Sequence, residues 1–177
     1  QTLMKSGLYN GLLMESLSLN RELKNTLYTW TILIISCSLL VVPLPEFLSF
    51  FRLPWLSLAV IFFSIMTPAG FGVISAWIIG LLADVLQGNI FGGNAMALSL
   101  IAYLSYRFHL QIRVFPMWQM MLSVLLLLFL NELLVLWVDG IQGQMTFNYI
   151  RWLGIILGAL IWPIFMAFLL NLKSKIL

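Results

Sequence analysis

The residues in this sequence best placed to do chemistry are two carboxylates inside apolar segments. Asp84 lies in the stretch IIGLLADVLQGNIFGGNAMALSLIAYL, and Glu132 follows Asn131 in the stretch MMLSVLLLLFLNELLVLW. Arg151 opens a third apolar segment. Ionisable residues within apolar membrane segments usually face the protein interior, pair with one another and mark functional positions. The sequence therefore predicts an intramembrane polar cluster made of Asp84, Glu132, Arg151 and Asn131.

Three roles are open for this predicted cluster. In a structural role, Arg151 or Arg52 would pair with Asp84 or Glu132, or backbone donors in the loop at 88–94 would bind Asp84. In the second role the cluster is a binding site, or a docking site for a partner helix. The third role is ion or proton translocation, which needs several ionisable groups along a path. The other half of the predicted bundle offers almost none, which disfavours translocation.

Catalytic chemistry has less support. The only histidine, His109, lies in a polar segment at a different predicted depth from the two carboxylates. The only cysteine is Cys37, so paired-cysteine metal motifs are excluded. Two carboxylates can act as acid and base, but nothing in the sequence positions a substrate between them. We therefore predict no catalytic residue, no metal site, no cofactor and no enzymatic activity.

The composition places the chain in a lipid bilayer. Of its 177 residues 62% are hydrophobic and 8% are charged, whereas soluble globular proteins carry about 25% charged residues. A chain of this size has too little interior to hide so much apolar surface from water. Only helices and closed barrels satisfy their backbone polar groups in lipid, and the long continuous apolar runs indicate helices.

The apolar runs predict an all-α integral membrane protein with six transmembrane helices, at roughly 27–43, 54–68, 70–88, 93–107, 116–139 and 150–172. Pro43 and Pro45 would end the first helix, and a polar hinge at 107–116 would follow the fourth. With six spans both termini share one side, which holds seven basic residues against two on the other: Lys5, Arg21, Lys24, Arg107, Arg113, Lys173 and Lys175 against Arg52 and Arg151. The excess of Lys and Arg predicts that both termini are cytoplasmic.

Small residues recur at a spacing of four in two of these helices. They are Gly72, Ala76 and Gly80 in the third helix, and Gly154 and Gly158 in the sixth. Residues four apart share a helix face, and small residues let helices approach closely in membranes. We expect these two faces to serve packing inside the bundle or docking of a partner.

The sequence predicts a cytoplasmic N-terminal tail, 1–26, and a six-helix transmembrane domain, 27–177. One interpretation of residues 1–13 is an added tag, with Met14 as the natural start. The spacing of Leu19, Leu23 and Leu27 suits a short interfacial helix, and a mobile tail is the alternative.

The third and fourth predicted helices resemble those of a known family. The stretch GLLADVLQGNIFGGNAMALSLIAYL resembles the corresponding part of MreD, the bacterial rod shape-determining membrane protein, at seven positions: Gly80, Asp84, Gly88, Gly92, Ala97, Ala102 and Tyr103. The segments MWQMM and LIWPIF, and Glu132 five residues before Trp137, are similar to the family's fifth and last helices. The resemblance covers roughly residues 28–173. This sequence departs from the family pattern in its N-terminal extension and in the NIFGGN turn.

The resemblance implies a scaffold of the cell-wall elongation complex in the bacterial inner (cytoplasmic) membrane. The expected partner is MreC, a bitopic protein with a large periplasmic part. Through MreC the chain would be linked to the MreB filament, the RodA glycosyltransferase and a penicillin-binding transpeptidase. No nucleic acid partner is expected.

The family fold is also similar to the substrate-binding S-components of vitamin transporters, so the resemblance implies an S-component-like bundle. The alternative function is therefore a membrane subunit that binds a vitamin-sized molecule near Asp84 and Glu132. Fold alone does not determine which of the two functions applies.

Overall fold

The computed structural model describes the backbone of residues 2–41, 54–68, 70–88, 92–141 and 149–176, and the side chains of residue 19 and of residues 22–40, 54–68, 70–88, 92–141 and 151–175. Within these ranges the chain forms six helices and no strand, so the all-helical prediction is confirmed. The helices are α1 (Thr2–Val41), α2 (Trp55–Met66), α3 (Val73–Gln87), α4 (Gly93–Val114), α5 (Met117–Ile141) and α6 (Tyr149–Ile176).

Three of the helices are long and apolar enough to cross a membrane. The candidate spans are Glu22–Leu40 in α1, Met117–Ile141 in α5 and Arg151–Lys175 in α6, whereas α2 and α3 are shorter apolar helices. The membrane character of the chain is confirmed, but the number of six spans stays a prediction.

The central helix of the bundle is α2. It packs against α1, α4, α5 and α6, and every residue from Leu56 to Ile65 is buried. The sequence of α2, WLSLAVIFFSIM, is apolar on all sides, which is the pattern of a helix enclosed by other elements. With 12 residues, α2 is about 18 Å long, shorter than the hydrocarbon core of about 30 Å. It is covered mainly by protein.

The other helices form a ring around α2, and two polar contacts between helices fasten the bundle. α3 packs on α1 and α4, and α5 packs on α4 and α6. The hydroxyl of Tyr28 on α1 donates a buried hydrogen bond of 2.8 Å to the carbonyl of Leu169 on α6. At the end of α4, Arg113 Nη2 donates a hydrogen bond of 2.8 Å to the carbonyl of Met66, the last residue of α2.

Two helices extend furthest beyond their predicted ends. α1 runs without a break through the predicted boundary at 26/27, and its 40 residues rise about 60 Å. α4 continues to Val114 through the segment predicted as a polar hinge. That segment contains no glycine or proline before Pro116, so nothing in it breaks the helix. The division into tail and domain stays a prediction.

Some residues that entered the sequence predictions lie outside the described part of the chain. They are Pro43, Pro45 and Arg52, together with the side chains of Lys5 and Arg21.

Candidate functional site

Asp84, near the end of α3, binds the first turn of α4. Its side chain is fully buried. Asp84 Oδ1 accepts hydrogen bonds from the backbone N–H of Asn94 (3.0 Å) and from Asn94 Nδ2 (2.9 Å). Asp84 Oδ2 accepts from the backbone N–H groups of Gly92 (2.9 Å) and Ala95 (3.3 Å). The first N–H groups of a helix have no partner inside the helix, and negative charge is favourable there, so Asp84 caps α4 from the neighbouring helix.

Three glycines allow this approach. At Gly80, one turn before Asp84, a Cβ would lie 2.4 Å from Ala95 Cα and 2.8 Å from Ala95 N. These atoms belong to the backbone of α4, so any side chain at this position forces the two helices apart. Gly88, at the end of α3, has φ 67°, and Gly92, before α4, has φ 112°. Glycine adopts these left-handed conformations without a steric penalty, and the chain can return over α3 within a few residues.

A second polar cluster joins α5 to α6. Arg151 Nε lies 2.7 Å from Glu132 Oε1, and Arg151 Nη1 lies 3.3 Å from Asp139 Oδ2. The three side chains are only partly exposed: 33% for Arg151, 15% for Glu132 and 22% for Asp139. The planar guanidinium offers donors in several directions, so one arginine binds both carboxylates and holds the start of α6 against α5.

Three of the four residues that the sequence predicted as one cluster are divided between these two groups, and Asn131 belongs to neither. Arg151 and Glu132 pair with each other. Asp84 forms no ion pair with any described side chain and is bound by backbone donors and Asn94, which was one of the three alternatives for its partner. Asn131 is 8% exposed, and its Oδ1 has no hydrogen-bond partner among the described residues.

The small residues of α3 and α6 differ in their surroundings. Ala76 and Gly154 are buried. At Gly158 a Cβ would lie 3.2 Å from Leu128 Cδ1 on α5 and 3.4 Å from the ring of the proline before α2, so this part of α6 packs inside the bundle. Gly72 is exposed at the N-terminus of α3, and a Cβ there would meet no described atom within 4 Å. Gly72 therefore takes no part in a close contact with the described residues.

No role was predicted for the side chain of Asn94 or for Asp139. Asp139 was the last residue of the predicted fifth helix, but α5 continues to Ile141. The spacing of seven between Glu132 and Asp139 places them on one helix face about 10 Å apart, a signal that the sequence carried. Asn94 follows two glycines and takes the second position of α4, where its side chain reaches back to Asp84.

The geometry of the Asp84 and Glu132 carboxylates favours a structural role, in which they hold helix ends in place, over a role as reactive groups. The oxygens of Asp84 already accept four hydrogen bonds, and Glu132 lies against Arg151. The described residues contain no group of three or more His, Cys, Asp or Glu side chains that could hold a metal ion. His109 stacks on Tyr106 near the far end of α4, at the opposite end of that helix from Asp84.

Both polar clusters lie in the part of the chain that is similar to a known protein family. The family model described as rod shape-determining protein MreD matches residues 21–172. The chain is 25% identical over 134 residues to the rod shape-determining protein MreD of Haemophilus influenzae, a match that covers 76% of this chain and 83% of that protein. No solved structure matches the chain significantly. Because the family model spans most of the chain, including all six helices in part or whole, the chain belongs to the MreD family of rod shape-determining membrane proteins.

Proposed function

We propose that this protein is a non-enzymatic scaffold of the cell-wall elongation complex that maintains rod shape. Its membership of the MreD family supports this role. In this proposal the chain lies in the bacterial inner membrane with six spans in an S-component-like bundle, and both termini face the cytoplasm. The distribution of Lys and Arg in the sequence supports that orientation.

The observation that carries the proposal is that the carboxylates of the apolar helices are bound within the bundle. Asp84 fastens α4 to α3, and Glu132 and Asp139 fasten α6 to α5 through Arg151. A ligand site or a proton path needs carboxylates with free lone pairs that face a cavity or a chain of further ionisable groups. The bound state of these groups supports a structural role over the vitamin-binding alternative.

The partner in this proposal is a bitopic protein of the MreC type. The described connections are short: residues 67–72 join α2 to α3, and residues 115–116 join α4 to α5. With so little chain outside the helices there, a partner must bind largely through its own transmembrane helix or the segment next to it. Through this partner the scaffold would be linked to the MreB filament, a RodA-type glycosyltransferase and a penicillin-binding transpeptidase.

The proposal is tested by what copurifies with the tagged chain after gentle solubilisation from its native membranes. We expect mass spectrometry to recover a MreC-like bitopic protein together with wall-synthesis enzymes. The Asp84→Leu variant should lose this partner, because the start of α4 is released, whereas the Gly72→Ala variant should retain it. A bound vitamin with an ATPase module, and no wall-synthesis protein, would contradict the scaffold role.

A further inference from the structure

A cavity of about 260 Å³ lies at the end of the bundle opposite Asp84. It is bounded by α1, the turn between α2 and α3, and the end of α4. Its polar lining consists of Glu22, Asn25, Thr26, Thr29, Thr67 and Arg113. Neither of the two polar clusters described above takes part in it, and the scaffold role does not use it.

One wall of the cavity accepts hydrogen bonds and donates few. The hydroxyls of Thr26, Thr29 and Thr67 each donate their proton to a carbonyl four residues earlier in the chain, at 2.9, 2.9 and 3.0 Å. A hydroxyl whose proton is used presents only lone pairs. Asn25 Oδ1 is buried and has no hydrogen-bond partner among the described residues. A molecule that fills this cavity must supply N–H or O–H donors to this wall.

The lining also carries one charge of each sign. Glu22 forms no ion pair with the described side chains. Arg113 uses Nη2 for the bond to the carbonyl of Met66, and a guanidinium has five N–H donors, so donors remain on its Nε and Nη1. Because the two described charges cancel, the cavity suits a zwitterion, whose cation meets Glu22 and the acceptors and whose anion meets Arg113.

We propose that this cavity binds the phosphoethanolamine headgroup of a membrane phospholipid. The ammonium group donates hydrogen bonds to the wall formed by Glu22, Asn25 and the threonines, and the phosphate accepts from Arg113. The cavity is smaller than the roughly 300–1,000 Å³ of sites for drug-sized ligands, and it lies at helix ends, where headgroups are found. The proposed cytoplasmic location of this end assigns the lipid to the inner leaflet.

The chemistry distinguishes this headgroup from the other common phospholipid headgroups. Phosphatidylcholine carries a trimethylammonium group that has no N–H donor for the acceptor wall. Phosphatidylglycerol has hydroxyl donors but no cation, and its net negative charge is repelled by Glu22. A lysine side chain from a partner protein would supply the ammonium group but would leave Arg113 without an anion.

Native mass spectrometry of the delipidated full chain tests the proposal. The protein is titrated with phosphatidylethanolamine, phosphatidylcholine and phosphatidylglycerol that carry identical acyl chains. We expect phosphatidylethanolamine to bind about tenfold more tightly than either of the others, which corresponds to about one hydrogen bond to a charged group. Glu22→Gln keeps an acceptor oxygen but removes the negative charge, so it should remove most of the preference over phosphatidylglycerol and retain the preference over phosphatidylcholine. Arg113→Met should weaken the binding of both zwitterionic lipids alike. The control is Arg107→Met, an exposed arginine of α4 outside the cavity, which should change neither.

Equal affinity of the wild-type chain for the three lipids would overturn the proposal, as would a preference over phosphatidylglycerol that survives Glu22→Gln. If no lipid is preferred but a lysine-containing peptide binds, the occupant is a partner side chain and not a headgroup. Because Glu22 is exposed and forms no ion pair with the described side chains, Glu22→Gln carries the test even where Arg113→Met destabilises the end of α2. Recovery of the MreC-like partner is measured separately, so failure of this proposal and failure of the scaffold role are distinguishable.

Discussion

Replacement of Asp84 by leucine should release the start of α4 from α3. Leucine branches at Cγ as aspartate does, but it is bulkier and accepts no hydrogen bond, so the backbone N–H groups of Gly92, Asn94 and Ala95 lose their acceptor. The amide of Asn94 loses its own bond to the carboxylate as well. All of these donors lie within about one helical turn, and α4 loses the negative charge at its N-terminus.

The magnitude follows from the number of donors. Loss of a helix cap costs about 0.5–2 kcal/mol, and a buried donor left without a partner costs about 1–3 kcal/mol. For three backbone donors at 1–2 kcal/mol each we expect Asp84→Leu to lower the free energy of unfolding by about 3–6 kcal/mol. Asparagine keeps one oxygen acceptor and turns an NH₂ group towards two of the donors, so Asp84→Asn should cost about half as much.

The assay is thermal unfolding of the purified chain in one detergent, followed by intrinsic tryptophan fluorescence. A change of 1 kcal/mol shifts the midpoint by about 2–4 °C for a domain of 150–250 residues. We therefore expect a decrease of roughly 6–24 °C for Asp84→Leu, with Asp84→Asn between it and the wild type. Asp139→Asn is the matched control, because it removes a carboxylate at the same end of the bundle that makes one long contact to Arg151.

The order of the unfolding midpoints of the variants tests the capping role of Asp84. If Asp84→Leu unfolds within a degree of the wild type, or no earlier than Asp139→Asn, the four hydrogen bonds do not stabilise the fold and the capping role is wrong.

Three further changes test other contacts of the bundle. Gly80→Ala forces a Cβ into the backbone of α4 and should lower the free energy of unfolding by about 1–3 kcal/mol. Gly72→Ala should be neutral, and equal unfolding midpoints for the two variants would refute the close approach. Arg151→Met leaves two carboxylates without their cation and should cost about 1–3 kcal/mol, between the values for exposed and buried pairs. Addition of Glu132→Gln should restore part of that loss, and a further decrease in the midpoint would argue against the ion pair. Tyr28→Phe removes the bond between α1 and α6 and should cost about 0.6 kcal/mol, a typical value for hydrogen bonds between membrane helices, and an unchanged midpoint would show that this bond is not stabilising.

The sequence was sufficient for the helical class and for most helix ends, because these depend on local features. Apolar runs mark the helices, and Pro116 and the glycines at 88 and 92 mark where they end. The end of the fourth helix was wrong for a physical reason. Through 107–114 a change to polar composition was interpreted as a hinge, but a helix that leaves an apolar environment needs no break when no proline or glycine is present.

The partner of Asp84 could not be predicted from the sequence in the same way. Arg151, Arg52 and the backbone at 88–94 were all chemically suitable, and only the position of α4 over α3 decides among them. The glycines of α3 illustrate the same point. Gly72 and Gly80 belong to one series with a spacing of four, but of the two only Gly80 lies against the backbone of α4, and a close approach is a property of two helices together.

The enclosure of α2 has a consequence for biosynthesis. α2 is made second, but α4, α5 and α6, three of the four helices that pack against it, are made after it. A nascent chain that ends at α3 therefore holds a helix of about 18 Å in the membrane with no protein cover on most of its surface. Its core is completed only when α6 has been inserted and Gly158 reaches the start of α2. Consolidation of the domain is thus a late event of translation, and chains truncated before α6 should be substrates for membrane quality-control proteases.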